Sequence, residues 1–298
     1  MAGNFTAIDL SLLPAPAVVE VVDFEAILAE MLADLQLRAP EFSALVESDP
    51  AYKILQVAAY REVIVRQRAN EAARAVMLAY AIGSDLEHLA AFFGVTRLVI
   101  DPGNPDALPP VPPTYETDAD LRRRTQLALE GYSTAGPSGA YIFHSLSADG
   151  AVLDASATSP DPGQVLVAVL ARTGDGTAGS ELLAKVNAAL NDDSVRPLCD
   201  AVTVQSAEIV EYTIEAELFF NSGPDQAAVL ATAQAAAEAY AEAQHRIGLP
   251  VTLSGIYAAL HQPGVARVDL TAPSANIAIS ATQASYCTGI TLENGGIL

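Results

Sequence analysis

Residues 51–98 constrain this chain most. The first part, residues 51–81, contains no Pro or Gly and is rich in Ala, Arg, Glu, Gln and Leu, which lose little on entering a helix. Ile54, Ala58, Val65, Ala69, Ala72, Val76 and Tyr80 fall on one face at the three-and-four spacing of an apolar helical stripe. The expected helix has about thirty residues and is roughly 45 Å long, well beyond the usual length of about 11–12 residues. Gly83 is expected to stop it. Ser84 and Glu87 then read as a capping box that starts a shorter helix. Gly94 reads as the C-cap of that helix, with Leu86, Leu89, Ala90 and Phe93 as its buried side.

The charges on the long helix are unusual for this chain. Lys53, Arg61, Arg66, Arg68 and Arg74 stand against Glu62 and Glu71, a local surplus of positive charge in a chain whose net charge is −21. Arg61 and Arg68 fall at the edge of the apolar stripe and interrupt it. Two readings follow. The segment is a long core helix whose arginines snorkel to water, or a helix that completes its burial against helices of other chains, its arginines meeting acidic partners. A nucleic-acid surface is disfavoured, because acidic residues outnumber basic ones 36 to 15 and no aromatic residues are interleaved to stack bases.

With 298 residues, two or three domains are expected. Hydrophobic residues make up 51% and mean hydropathy is +0.28, enough apolar material for a core and for an interface between chains. No apolar run approaches the roughly 18 residues of a membrane span, so no membrane insertion is expected. The first 22 residues lack a basic n-region and are broken by Asp9, Pro14 and Pro16, unlike a signal peptide; synthesis is expected in the cytoplasm. Cys199 and Cys287 read as two buried free thiols or one disulfide, with no framework implied.

Taken in order, residues 1–22 read as an extended arm, with Asp23 capping an amphipathic helix marked by Phe24, Ile27, Leu28, Met31 and Leu35. Residues 101–113 hold six prolines and read as a stiff linker able to build neither helix nor ladder. A helix capped by Thr117 follows, with Leu121, Ala128, Leu129 and Tyr132 on its apolar side, then a turn-rich loop at 131–139. Residues 140–146 read as a short helix. The period then changes: 151–157, 165–171 and 201–207 are strand-like around a helix at 180–191. Last comes a half-exposed strand at 210–220, an Ala-rich helix from Ser222 or Gly223 to about Ile247, a helix at 253–261, and strands at 265–270 and 277–279. The fold class is α+β and multidomain, an N-terminal long-helix region followed by two small mixed α/β modules. The expected divisions are 1–100, 101–116, 117–208 and 209–298.

Candidate chemistry is sparse. Gly174, Gly176 and Gly179 form a literal G-x-G-x-x-G between a strand-like run and a helix, the context of a dinucleotide fingerprint. Asp175, however, puts a carboxylate where a pyrophosphate would sit, and no Walker lysine is present. A Gly-rich connection capped by Ser180 is the plainer reading; a nucleotide-binding enzyme using this loop is the rival. His88, His144, His245 and His261 are isolated, with no metal-ligand spacing. Ser138 lacks the G-x-S-x-G context of a nucleophile elbow. Arg122, Arg123 and Arg124 point three ways round a helix, as in a salt-bridged helix. No catalytic, cofactor-binding or metal-binding residue is proposed.

Several segments resemble one family, the baseplate J-like proteins of contractile phage tails and of tail-like particles such as R-type pyocins. They are DLSLLPAP at 9–16, YREVIVRQRANEAARAVMLAYA at 60–81, GSDL at 83–86, STAGP at 133–137, YIFH at 141–144 and RTGDGT at 172–177. AALNDDSVRP at 188–197, VTVQSAEI at 202–209 and LSGIYAALH at 253–261 complete the set. The resemblance runs nearly the whole chain in order and implies structural work without catalysis or cofactor. It implies a baseplate wedge in which two copies join one baseplate I-like partner, six wedges ring a hub, and their rearrangement triggers sheath contraction. Neighbouring wedges, the hub and sheath-initiating baseplate proteins are the further partners implied. It also places an intermolecular helix bundle on the cationic helix, where Ile54, Ala58, Arg61, Val65, Arg68, Ala72 and Val76 become the candidate partner interface. Synthesis in a bacterial host and incorporation into a tail or tail-like particle follow from the same resemblance.

Overall fold

The computed structural model describes residues 10, 13, 16, 20–132, 137–223 and 225–298; most of the expected N-terminal arm and residues 133–136 of the turn-rich loop lie outside them. The chain is α+β and multidomain. It divides into two compact units, one reaching to Thr96 and including Asp118–Arg122, the other comprising Arg97–Thr117 and Arg123–Leu298.

In the helical unit, α1 (Phe24–Arg38) starts at Asp23, whose carboxylate accepts the Glu25 and Ala26 amides, satisfying two of the donors that a helix start leaves free. Helix α2 (Pro50–Ala75) is the long helix, a turn shorter than its composition suggests. Residues 76–81 continue as turns, and Arg122 takes the Leu78 and Ala81 carbonyls (both 2.7 Å). Gly83, at φ +54°, begins α3 (Gly83–Ala91) and does not terminate α2. The Ser84–Glu87 capping box does not form: the cap position is Ile82, and Asp118 Oδ2 receives the Gly83 amide at 3.0 Å. Gly94 ends α3 as expected, at φ +68°, with Val95 N–H bonded to Ala90 O and Gly94 N–H to Ala91 O (both 3.1 Å). That pair of bonds is a Schellman closure. Leu86 and Ala90 are fully buried; Leu89 and Phe93 are half-buried.

In the second unit the Pro-rich stretch is an ordered ladder. Strand β1 (Val99–Asp101) pairs antiparallel with β2 (Thr114–Tyr115), and Asn104 and Val111 exchange backbone bonds of 2.9 Å. The ladder forms because its donors fall on residues other than the prolines, which have none to give. Gly103 allows the close approach: a Cβ there would lie 2.3 Å from the Val111 carbonyl oxygen.

Helix α4 (Asp118–Gly131) buries Leu121, Leu127 and Ala128, while Leu129 and Tyr132, expected on its apolar side, are exposed. Helix α5 (Ser138–Ala148) leads into β3 (Val152–Thr158) and β4 (Gln164–Ala171), then α6 (Ser180–Leu190) and β5 (Ala201–Ser206). The sheet order is β3-β4-β5, with β3 antiparallel and β5 parallel to β4. Leu127, Tyr141, Val167, Val169, Val186 and Leu190 fill its core.

Only Ala207 separates β5 from β6 (Glu208–Phe220). Strand β6 is central in the sheet β7-β6-β8, and Tyr212, Ile214, Ala216, Leu218 and Phe220 alternate inward along it as the period of two requires. Helix α7 (Gln226–Gln244) starts at Asp225, whose side chain accepts the Ala227 amide, later than the expected Ser222 or Gly223. With α8 (Leu253–Leu260) it covers that face through Val229, Ala233, Ala237, Ile256 and Leu260. Strand β7 (Val265–Ala272) is antiparallel to β6, and β8 (Gln283–Ile297) is parallel to it. The expected strand at 277–279 is reduced to one bridge, between Val251 and Ile277; the third strand lies further on.

Candidate interaction surface

Helix α2 has two unlike sides. Toward α1, Leu55, Ala59 and Val63 pack with Ile27 and Leu28. Asn70 is buried on that side, its amide nitrogen donating to the Glu20 carbonyl (2.8 Å) and its Oδ1 accepting the Glu20 amide (2.9 Å). Arg66 is paired there with Glu62 and lies 3.8 Å from Glu20. The other side has no cover among the described residues: Ile54 is 68% exposed, Val57 64% and Val65 67%, and Tyr60, Ile64 and Val76 are exposed as well.

The stripe legible in the sequence therefore lies outside the intrachain core. Of its residues, Ala58 and Tyr80 are half-buried, while Ile54, Val65, Ala69, Ala72 and Val76 are exposed, as are Arg61 and Arg68 at its edge. The core-helix reading misplaces this stripe, because α1 takes the opposite side of α2. Val57, Tyr60 and Ile64 sit one step round from the stripe that the sequence singles out; their own three-and-four spacing was the available signal. Arg61 has no hydrogen-bond or ion-pair partner among the described residues. Arg68 faces Glu71 at 3.5 Å with both side chains exposed, an arrangement that contributes little in water.

The three arginines of α4 each have a separate task. Arg122 holds the carbonyls that end the α2 region, as above. Arg123 donates to Asp154 Oδ1 at 2.7 Å, and Asp154 Oδ2 accepts the Ile247 amide at 3.0 Å, so one buried carboxylate ties β3 to α4 and to the segment after α7. Arg124 forms a fork on Glu116, Nε to Oε2 at 3.0 Å and Nη2 to Oε1 at 2.5 Å. Glu116 also accepts the Leu98 amide at 2.9 Å.

The loop at 174–179 does sit between parallel strands in a βαβ unit, the context that made it a nucleotide candidate. Three of its amides are used within the chain. Gly176 N–H bonds to Thr173 O, Thr177 N–H to Asp175 Oδ1 (2.9 Å) and Ala178 N–H to Ser206 Oγ (2.9 Å). A phosphate cradle needs such amides aimed outward at an anion. Instead Thr177 bridges back to Leu170. The Thr177 amide, then its hydroxyl, hold the Asp175 carboxyl below its ordinary range, which keeps a negative charge in the loop. A Cβ on Gly176 would lie 2.5 Å from Leu170 Cδ1, so this glycine serves packing. Gly179, not Ser180, occupies the cap position of α6.

The remaining candidates are structural in their contacts. His144 Nε2 lies 3.3 Å from the Gly131 carbonyl, and burial lowers its pKa. His245 Nδ1 lies 2.6 Å from the Ser285 carbonyl. Ser138 is the first residue of α5. Among the described residues no group of three His, Cys, Asp or Glu is placed to hold a metal. Both cysteines are free; Cys199 is exposed and Cys287 half-buried, against the expectation of two buried thiols.

A helical unit whose long helix leaves an apolar and cationic side exposed among the described residues, followed by two α/β modules joined by one residue, defines a multidomain α+β protein. Family models match along it in sequence: the baseplate J-like N-terminal domain at residues 47–104, the central domain at 133–206 and the C-terminal domain at 212–293. The chain is 51% identical over 296 residues to baseplate protein J of Escherichia phage P2, covering 97% of this chain and 98% of that one. It belongs to the baseplate J-like family. A chain of the anti-feeding prophage baseplate, a six-fold symmetrised cryo-EM structure, aligns at 16% identity with a TM-score of 0.42; the match covers 60% of this chain and 44% of that one. No helix among the described residues is long and apolar enough to cross a membrane.

Proposed function

We propose that the chain is a structural wedge protein of the baseplate of a contractile tail or tail-like particle. Two copies assemble with one baseplate I-like partner, six such wedges ring the hub, and their rearrangement triggers sheath contraction. The protein is made in the bacterial host cytoplasm and incorporated into the particle, where it meets neighbouring wedges, the hub and the proteins that start the sheath. The observation carrying this reading is the end-to-end 51% identity to baseplate protein J of phage P2.

The interface toward the partner is the outer side of α2: Ile54, Ala58, Arg61, Val65, Arg68, Ala72 and Val76, joined by Val57, Tyr60 and Ile64. Bringing that side into a helix bundle removes apolar area from water and gives the arginines acidic partners. Native mass measurement of the full chain, alone and co-expressed with its baseplate I-like companion, tests the assembly. A complex of two copies to one supports it. A well-behaved monomer that ignores the companion ends it.

A further inference from the structure

The exposed residues of α2 fall into one heptad frame. Ile54, Arg61 and Arg68 are spaced by seven, and so are Val57, Ile64 and Glu71 three residues behind them. All six side chains lie on the exposed side of the helix. In heptad terms these are successive a and d positions, the seam of a coiled coil. Ala58, Val65 and Ala72 flank the seam at the next position and widen it.

A parallel, in-register pair sets a against a and d against d. Two copies of this helix paired so would place Arg61 against Arg61, Arg68 against Arg68 and Glu71 against Glu71. Three like-charge contacts within one short seam oppose that pairing, which is how an interface rejects a wrong partner. Antiparallel pairing centred near Arg66 brings Arg61 toward Glu71 of a second copy but sets Arg68 against Ile64, with no acid to meet. Glu71 is also already faced by Arg68 and Gln67 of its own helix.

We infer that α2 selects a different helix as its partner: one with an apolar heptad seam carrying carboxylates seven residues apart, positioned to meet Arg61 and Arg68. The inference rests on the bundle reading above and adds the chemistry by which α2 recognises its occupant. Val57 and Ile64 supply the apolar contact, and the two arginines set register and exclude self-pairing.

The full chain can be titrated with two fluorescein-labelled synthetic helices of about 28 residues, four heptads. Both carry Leu at the remaining seam positions; one has Glu at two successive a positions and the other has Lys. The Glu helix is expected to bind about tenfold tighter, the scale of two exposed ion pairs exchanged for two repulsions. The R61E/R68E variant, its fold checked by circular dichroism, is expected to reverse that order. Equal affinities, binding of neither helix, or an order that survives the reversal overturns the inference. So does a dimer of the lone chain that displaces the Glu helix. If the two-to-one complex forms while the helices are not distinguished, this inference fails and the wedge reading stands. If binding is charge-selective while no wedge complex forms, the chemistry assigned to α2 stands and the wedge reading fails.

Discussion

Replacing Arg124 with Met isolates the buried fork on Glu116. The two side chains are 6% and 2% exposed, with Arg124 first. Arg124→Met removes both fork bonds and the bond to Ser147 Oγ (3.2 Å), leaving the Glu116 carboxylate with the Leu98 amide and little access to water. Removing one partner of a buried pair costs about 3–5 kcal/mol, so a loss of about 4 kcal/mol is expected. Hydrogen exchange of the fully buried β4 segment, Val167 to Leu170, reports opening of that unit. At about 1.4 kcal/mol per factor of ten, its protection is expected to fall by roughly a thousandfold. The double variant E116L/R124M removes both charges; it leaves the Leu98 amide unpaired, at about 1–3 kcal/mol, and takes from the half-buried Ser147 hydroxyl the same bond that the single variant removes, so it is expected to be better protected than the single variant. Protection of Arg124→Met within tenfold of the wild type, or a double variant worse than the single, refutes this account of the pair.

Three further outcomes are expected. Asp154→Ala orphans the Ile247 amide and loosens Arg123, so exchange in residues 245–251 is expected to accelerate with a loss of about 2–3 kcal/mol; unchanged exchange there contradicts the tie. Leu218→Ala empties a fully buried position in the C-terminal sheet and is expected to cost about 2–5 kcal/mol, read as a lower unfolding midpoint in urea. The depressed pKa of Asp175 means that its contribution is complete above the ordinary Asp value of about 3.9 and is lost as pH falls through the lower folded value. In an NMR titration the Thr177 amide shift should follow Asp175 with a midpoint below that ordinary value, and a midpoint at or above it counts against the Asp175–Thr177 bond.

The middle module was the most legible part of the sequence. Apolar runs at β3 and β4 and the alternation at β5 carry strand signals of their own, and their bounds fall within a residue or two of expectation. Strand β8 was hidden because Gly289, Gly295 and Gly296 interrupt its pattern, and its register shifts twice against β6. The ladder at 99–115 was hidden by prolines whose neighbours nonetheless hold the bonding positions. The Ser84 box failed because α3 starts one residue earlier than a Ser84 cap would allow: Ile82 holds the cap position and Asp118, distant in sequence, takes the Gly83 amide. The α2 stripe was visible as a periodicity, yet its direction was not. A helix apolar on two sides does not say which side its own chain will cover; the packing of Ile27 and Leu28 against Leu55 and Ala59 settles that choice.

The single residue between β5 and β6 has a mechanical consequence. Ala207 is buried, and its amide is tied to the Val169 carbonyl at 2.8 Å, so the backbone has no slack between the two sheets. Tension along the chain at this point passes from an edge strand of one sheet into the central strand of the next. There it acts along β6, across the hydrogen bonds to antiparallel β7, which run perpendicular to the strand, and those to parallel β8, which are slanted. Such a pull loads both ladders in shear at once, so many bonds must yield together where a peeling geometry would break them one at a time. Under tension applied this way the junction at Ala207 is expected to resist extension.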